Sequence, residues 1–304
     1  MNKKNLSVII TCHNDEKYIN QCIRSITFQL CDDVEVICVD DASEDNSLQI
    51  INQYSSQIKI KQFNENVGLS CARNEAIKIA NGNYLMFVDA DDYIAADSLS
   101  CILHMARKGC YDIIMGLMEV FKETPDVKER WNDPIIENPA IFENKSVDEI
   151  IGELHDLKLK IAPVQKYIVK KNFIEENSLW FENVLHEDQL WTPQALCFAR
   201  LIGFVNCKFY FHRIRKNSLG DRFDENVCIS YLETCKKLLS IVPKISSCKK
   251  ITFLRSRCKY LLLKIDSCIV EWDLDRRQSF IDSNKEDIQK LSNELELRLI
   301  NFRG

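Results

Sequence analysis

The chain has no apolar run of the roughly 18 residues that crossing a bilayer requires, no Cys-x-x-Cys pair, and no signal-peptide pattern at its start. The first absence leads to the expectation of a soluble or peripheral protein. The second bears on metal chemistry: Cys12 stands beside His13 but lacks the further partners that a structural zinc site needs. The third affects how the 14 cysteines are read. They are scattered, and they include strand-like positions such as Cys38, so they are expected to be reduced thiols in a cytoplasmic protein rather than a disulfide framework. Internal repeats and low-complexity tracts are also missing.

At 304 residues with 46% hydrophobic content, the chain is long enough for one large domain and an accessory piece. Lys and Arg number 40 against 45 Asp and Glu, a formal charge of −5, which argues against nucleic acid as a partner. The first half alternates strand and helix signals. Leu6–Thr11 reads as strand, Ile19, Cys22, Ile23, Ile26 and Leu30 fall at helical spacing, and Val34–Val39 is strand again. Ser43 is placed to cap a helix through Ile51. Ile58–Phe63 reads as strand, Ser70–Ala80 as helix, and Tyr84–Val88 as a fourth strand. Such alternation predicts a parallel, doubly wound α/β arrangement.

Asp97–Lys108 then reads as helix and Tyr111–Gly116 as strand. The charged, proline-containing stretch Glu123–Asn138 fits a lid or acceptor loop. Val164–Val169 and Leu201–Phe211 read as strands on either side of a helix at Glu187–Ala199. Beyond about Ser218 only helical periodicity remains, over Ile229–Ile241, Ile251–Val270 and Phe280–Ile300. The expected division is 1–220 for the α/β domain and 221–304 for a helical C-terminal region.

Asp89-Ala90-Asp91-Asp92 follows the apolar run Tyr84–Val88 with no turn residue between them. Ligands of open α/β sheets bind outside the carboxyl ends of the strands, and carboxylates gathered there repel one another unless a divalent cation neutralises them. Three more loops should converge on the same edge: Thr11–Glu16, Asp40–Asp45 and Asn64–Arg73. In the last of these, Gly68 precedes a helix amino terminus with Arg73 one turn inside, a corner suited to anionic or nucleotide ligands. Each piece alone also reads as a helix cap, a turn or a solvated strand end. Their order at successive strand ends is what favours a binding site.

With these residues in view, the chain resembles the family 2 glycosyltransferases of bacterial surface-polysaccharide type, which have a GT-A fold, a doubly wound, Rossmann-like mixed sheet. The resemblance lies in Ser7–Thr11, Val39–Ser47, Asn66–Asn74 and Phe87–Asp92, and it covers roughly residues 5–220. It implies transfer of a sugar from a nucleotide diphosphate, a UDP-sugar by analogy, to a saccharide or lipid-linked saccharide acceptor. By that resemblance Asp41 and the loop with Thr11, His13, Asn14 and Glu16 hold the nucleobase. Asn66, Gly68, Arg73, Asp89 and Ala90 complete the donor site, and Asp89 with Asp91 forms the DxD element that binds Mn²⁺ or Mg²⁺. Many members have Pro at Thr11, Tyr at His13 and Gly at Ala42, so base contacts are expected to differ in detail.

Leu185-His186-Glu187-Asp188 resembles the family's E-D motif, which implies Asp188 as general base and Glu187 as its orienting partner. An acidic helix cap is the other reading. His186-Glu187 opens no zincin motif, because Leu190 stands where the second His would be. His212–Ser218 concentrates positive charge where a departing diphosphate needs it. Arg213, Arg215 and Ser218 are the diphosphate candidates there, and His212 is either a further metal ligand or a packing or hydrogen-bonding residue. Lys166, in the place of a W-x-K-L-Y element, reads as a donor or acceptor contact or, slightly preferred, a solvated strand-end lysine.

Nine Lys or Arg from Lys236 to Lys264 lie between Glu233 and Asp266 with no acidic residue among them. This segment, 236–264, suits peripheral contact with anionic lipid at the inner face of a membrane, or a bundle with a basic solvent face. The family's processive members carry membrane spans and QxxRW, and neither is present here. A non-catalytic nucleotide-sugar-binding or scaffolding subunit is the alternative function. The intact Glu187-Asp188 pair argues against it. A phosphorelay receiver is disfavoured by the second acidic cluster and the chain length, and a nucleotidyltransferase by the lack of a glycine-rich basic loop after the first strand.

Overall fold

Buried strand runs and amphipathic helices alternate through the first half of the computed structural model, which describes residues 4–123, 133–134, 136–143, 145–157, 159–215 and 224–299. The order begins Leu6–Cys12 (β1), Ile19–Thr27 (α1), Val34–Asp40 (β2), Ser47–Asn52 (α2), Lys59–Gln62 (β3), Leu69–Ile79 (α3) and Tyr84–Asp89 (β4). Next come Tyr93–Ile94 (β5), Ser98–Lys108 (α4), Ile113–Lys122 (β6), Val147–Asp156 (α5), Tyr167–Lys170 (β7) and Lys171–Glu176 (α6). Asp188–Phe198 (α7), Ile202–Ile214 (β8), Glu225–Ser240 (α8), Cys248–Ile269 (α9) and Leu274–Glu294 (α10) complete it.

The eight strands form one sheet in the order β3-β2-β1-β4-β7-β6-β8-β5. The first four are mutually parallel, as the alternating pattern predicts. The sheet then becomes mixed, because β7 runs antiparallel to both β4 and β6. Every residue of β1 and β2 is buried, which is why those strands read as unbroken apolar runs. Alternate side chains enter two cores: Val8, Ile10, Met86 and Val88 pack on one face of the sheet, and Ile9, Leu85 and Phe87 on the other. Thr11 pairs with Val39 on one side and Asp89 on the other, so the loops after β1, β2 and β4 leave from one edge.

The C-terminal helices are started by side-chain caps. Asp224 accepts from Val227 N at 3.1 Å, Ser247 from Lys250 N at 3.2 Å and Asp273 from Arg276 N at 2.9 Å. Leu238 of α8, Leu261 of α9 and Leu291 of α10 belong to the same core as Ile9, Phe87 and Trp191, so helices and sheet share one hydrophobic interior. Among the described residues no helix is long and apolar enough to cross a membrane. None of the cysteines is in a disulfide.

Three sequence expectations need correction. Helix α2 begins at Ser47, with Asn46 at its N-cap. Ser43 caps no helix and instead accepts from Asn14 N at 3.0 Å. The expected strand Val164–Val169 shrinks to β7 because Val164–Lys166 closes into a 3-10 turn. Lys166 is not a solvated strand-end residue: it is 1% exposed, its Nζ sits 2.8 Å from Asp133 Oδ1, and it also donates to Lys160 O at 2.8 Å.

Candidate active site

The loops after β1 and β2 are laced together by side chains. Asn14 N donates to Ser43 Oγ, Glu44 N donates to Asn14 Oδ1 at 2.8 Å, and Glu16 Oε2 accepts from both Asn46 N and Asn46 Nδ2. His13 Nδ1 lies 2.7 Å from Asp41 O, and its Nε2 lies 3.1 Å from Asn14 Nδ2. Thr11 is 8% exposed and its carbonyl accepts from Ala90 N, which ties the first loop to the acidic one.

Asp41 is buried, and its two oxygens accept from Val67 N at 2.8 Å and Gly68 N at 2.9 Å. That grip holds the turn into α3, where Gly68 takes a φ of 85° that a side chain would strain. Beside it opens a cleft of about 500 Å³ lined by His13, Ala42, Ser43, Gln62, Phe63 and Asn66. Of the nucleobase candidates His13 lines this cleft, as does the donor-site candidate Asn66.

Arg73 is the residue that joins the two halves of the site. It is 1% exposed, its Nη2 donates to Asp89 Oδ1 at 2.8 Å, and its Nη1 donates to Glu187 Oε1. Its guanidinium lies 5.2 Å from the Phe181 ring, which stacks on Trp191 at 4.9 Å. Asp89's other oxygen accepts from Gln165 Nε2 at 2.6 Å. The sequence reading passed over Gln165, because nothing in its neighbours Lys166 and Tyr167 marks it as facing β4.

The rest of the acidic cluster is gathered by the end of β8. Asp92, 1% exposed, accepts from Tyr210 Oη at 2.6 Å and from Arg213 N at 2.7 Å, and His212 Nδ1 lies 3.0 Å away. Burial alone would depress His212, but Asp92, with Asp91 and Asp89, raises it to about 9, so it is an imidazolium near neutrality. Arg215 Nε lies 2.9 Å from Asp91 Oδ2 and its Nη1 donates to Asp15 Oδ1 at 2.9 Å. Arg213 donates to Asp91 O at 2.8 Å and lies 4.8 Å from the rings of Tyr18 and Phe121. Ser218 lies outside the described residues.

Asp91 is pushed up to about 8 by burial and by Asp92, Asp89 and Asp15, against the pull of Arg215. Asp91, Asp89 and His212 do not form a ready ligand set, and no group of three such side chains is placed to hold a metal among the described residues. Asp89 is already held by Arg73 and Gln165, and His212 faces Asp92. What would suit a divalent cation is the Asp91 carboxylate, crowded by Asp92, Asp89 and Asp15. Mg²⁺-type ions take one or two protein carboxylates and draw their remaining ligands from water and substrate phosphates.

On the opposite side, Glu187 precedes α7 and Asp188 is its first residue. Burial, then the neighbouring Glu187, pushes Asp188 up to about 7 although Arg73 and Arg257 pull it down. A carboxyl titrating there is matched to proton uptake from a hydroxyl near neutral pH. His186 before it holds a φ of 55°, and its ring centroid lies 5.7 Å from that of Tyr231 on α8. Tyr210 and Arg257 join these contacts without a sequence signal of their own, whereas Asp15 and Asp92 lie in the loops the sequence already singles out.

Several known proteins resemble the chain in sequence or fold. A poly(ribitol-phosphate) beta-glucosyltransferase of Bacillus spizizenii is 28% identical over 235 residues, 75% of this chain and 34% of that protein. The chain spans from about a third to under two thirds of the length of several curated relatives it matches. The crystal structure of S. aureus TarS 1–349 in complex with UDP-GlcNAc superposes with a TM-score of 0.72 at 21% identity, covering 96% of this chain and 83% of that one. A mannosyltransferase from Pyrobaculum calidifontis, in complex with GDP-Man and Mn²⁺, superposes at 0.59 and 13% identity over 99% of this chain and 82% of its own. The mixed sheet and flanking helices are those of the GT-A fold. Residues 7–172, more than half the chain, match the family described as Glycosyl transferase family 2, and the chain belongs to it.

Proposed function

We propose that the chain transfers a sugar from a UDP-sugar to an acceptor hydroxyl in the synthesis of a bacterial surface polysaccharide or glycolipid. The observation that carries this reading is the double salt bridge of Arg73. It fixes Asp89, at the edge where the donor diphosphate belongs, to Glu187, which precedes the base Asp188. The relatives' names point the same way: one acts on poly(ribitol-phosphate), and TarS was crystallised with UDP-GlcNAc.

In this reading the nucleobase enters the cleft beside His13 and Asn66. A divalent cation, Mn²⁺ or Mg²⁺, would be held by Asp91 and would offset charge on the departing diphosphate. Arg215 exchanges its bond to Asp91 for the donor phosphates, which receive its charge where negative charge develops. Asp188 takes the acceptor proton as the hydroxyl oxygen attacks the anomeric carbon. The bond from that carbon to the phosphate oxygen breaks, and its electron pair leaves with UDP. One carboxylate base and no enzymic nucleophile favour a single displacement, with inversion at the anomeric carbon.

The basic segment gives a secondary proposal, peripheral contact with anionic lipid at the inner face of a membrane. Lys249, Arg255 and Lys264 are exposed on α9 and serve it. Lys236 and Lys237 do not, because they pair with Asp287 and Glu182.

The experiment is UDP release from UDP-glucose, UDP-galactose and UDP-N-acetylglucosamine with Mn²⁺, comparing wild type with Asp188→Asn. Asp188→Asn is expected to keep UDP affinity and lose about 10²–10⁴-fold in rate. An unchanged rate would remove Asp188 from its role.

A further inference from the structure

Helices α8 and α9 pack directly on the element that carries the base. Ser230 Oγ of α8 donates to Leu185 O at 2.8 Å, and the Tyr231 ring meets His186. From α9, Arg257 Nη2 donates to Oε1 of Gln189, the residue that follows Asp188. The same guanidinium lies 4.9 Å from the ring of Tyr260, one helical turn along α9.

Two atoms at this contact are buried without a hydrogen-bond partner among the described residues: Oδ1 of Asp188 and Nε of Arg257. One is an acceptor on an acid and the other a donor on a cation. Each carries a desolvation cost that a bond between them would recover. The charged and titratable groups facing Asp188 are Glu187 beside it, Arg73 from α3, Arg257 from α9 and Tyr231 from α8. Arg73 has already committed its two terminal nitrogens to Asp89 and Glu187. Arg257 Nε is the buried cationic N–H beside Asp188 that has no partner among the described residues.

We propose that Arg257 is a positioning residue for Asp188: anchored by Gln189, it donates from Nε to Asp188 Oδ1 when an acceptor docks, which leaves Oδ2 turned toward the acceptor hydroxyl. The helical region thereby becomes part of the catalytic apparatus rather than an appendage to it. A guanidinium behind the carboxylate favours its ionised form, so it keeps the base available at neutral pH. This inference rests on the reading of Asp188 as general base.

The test is the pH profile of UDP release, with Mn²⁺, from whichever of the three UDP-sugars the wild type hydrolyses. Arg257→Met, Arg257→Lys and Asp188→Asn are compared, with UDP affinity and melting temperature as controls. Arg257→Met is expected to move the acidic limb upward by about one pH unit, leaving about tenfold less ionised base below it, with UDP affinity within about twofold of wild type. Arg257→Lys keeps the charge and is expected to keep the limb. A folded Arg257→Met protein with an unmoved limb, whether its rate falls or not, overturns the proposal. Should that variant not fold, Arg257→Gln takes its place in the same comparison. If Asp188→Asn itself keeps the wild-type profile, the assignment of the base has failed. If Asp188→Asn is inactive while Arg257→Met is unmoved, only the role of Arg257 has.

Discussion

Arg73 on α3 and Asp89 at the end of β4 form a salt bridge of 2.8 Å in which the arginine side chain is 1% exposed. The other arm of the same guanidinium holds Glu187, so one buried cation sets the spacing between the end of β4 and the residue that precedes Asp188, the proposed base. The guanidinium charge offsets the repulsion between the two carboxylates it holds on either side.

Arg73→Met leaves both carboxylates without their partner. Breaking a buried pair by removing one member costs about 3–5 kcal/mol. Urea unfolding should show a loss in that range, with UDP release falling in parallel. A variant of wild-type stability would mean that Asp89 and Glu187 find other partners.

Lys166 and Asp133 form a second buried pair, 2.7 Å apart, with side chains 1% and 0% exposed. Asp133 also accepts from Met118 N at 2.8 Å, so the pair is tied to β6. Lys166→Met is expected to lower stability by about 3 kcal/mol or more in urea unfolding, the usual consequence of stranding a buried carboxylate. Lys166→Met together with Asp133→Asn should recover part of that loss, because no lone charge remains.

Asp91→Ala removes the carboxylate that Arg215 now occupies and that the cation is proposed to use. UDP affinity measured with Mn²⁺ should fall to the level seen in EDTA. Persisting dependence on Mn²⁺ would take Asp91 out of the metal site.

The sign of the pH dependence follows from three groups. Asp91 and Asp188 are raised to about 8 and about 7, so between about pH 4 and those values the folded protein holds protons that the unfolded chain has released. His212, raised to about 9, acts in the same direction, since its contribution is full below about 6.5 and is lost as pH rises through 9. The melting temperature of the metal-free protein should therefore fall as pH rises from about 5 to about 8. Asp91→Asn should flatten that slope, and a melting temperature that climbs steadily to pH 8 would contradict these assignments.

Much of the fold was legible because β1, β2 and β4 are buried on both faces and read as clean apolar runs, with the acidic and glycine-bearing motifs at their ends. The antiparallel insertion of β7 was not, since Val164 to Val169 is apolar enough for a strand whether or not its first turn tightens. Long-range partners are where sequence reasoning gave out. Lys166 looks solvated until Asp133 is brought beneath it, and Arg215 looks free for phosphate until it is seen on Asp91 and Asp15. Arg257 stood in a basic run read for its surface charge, and only the packing of α9 on α7 turns it toward Gln189.

The central claim is a nucleotide-diphosphate site that works with a divalent cation. Calorimetric titration of UDP, GDP, CDP and dTDP into the protein, each with Mn²⁺ and with EDTA, tests it most directly. The account predicts that UDP binds with Mn²⁺ and that binding is lost in EDTA. Absence of binding by all four nucleotides in Mn²⁺ would contradict it.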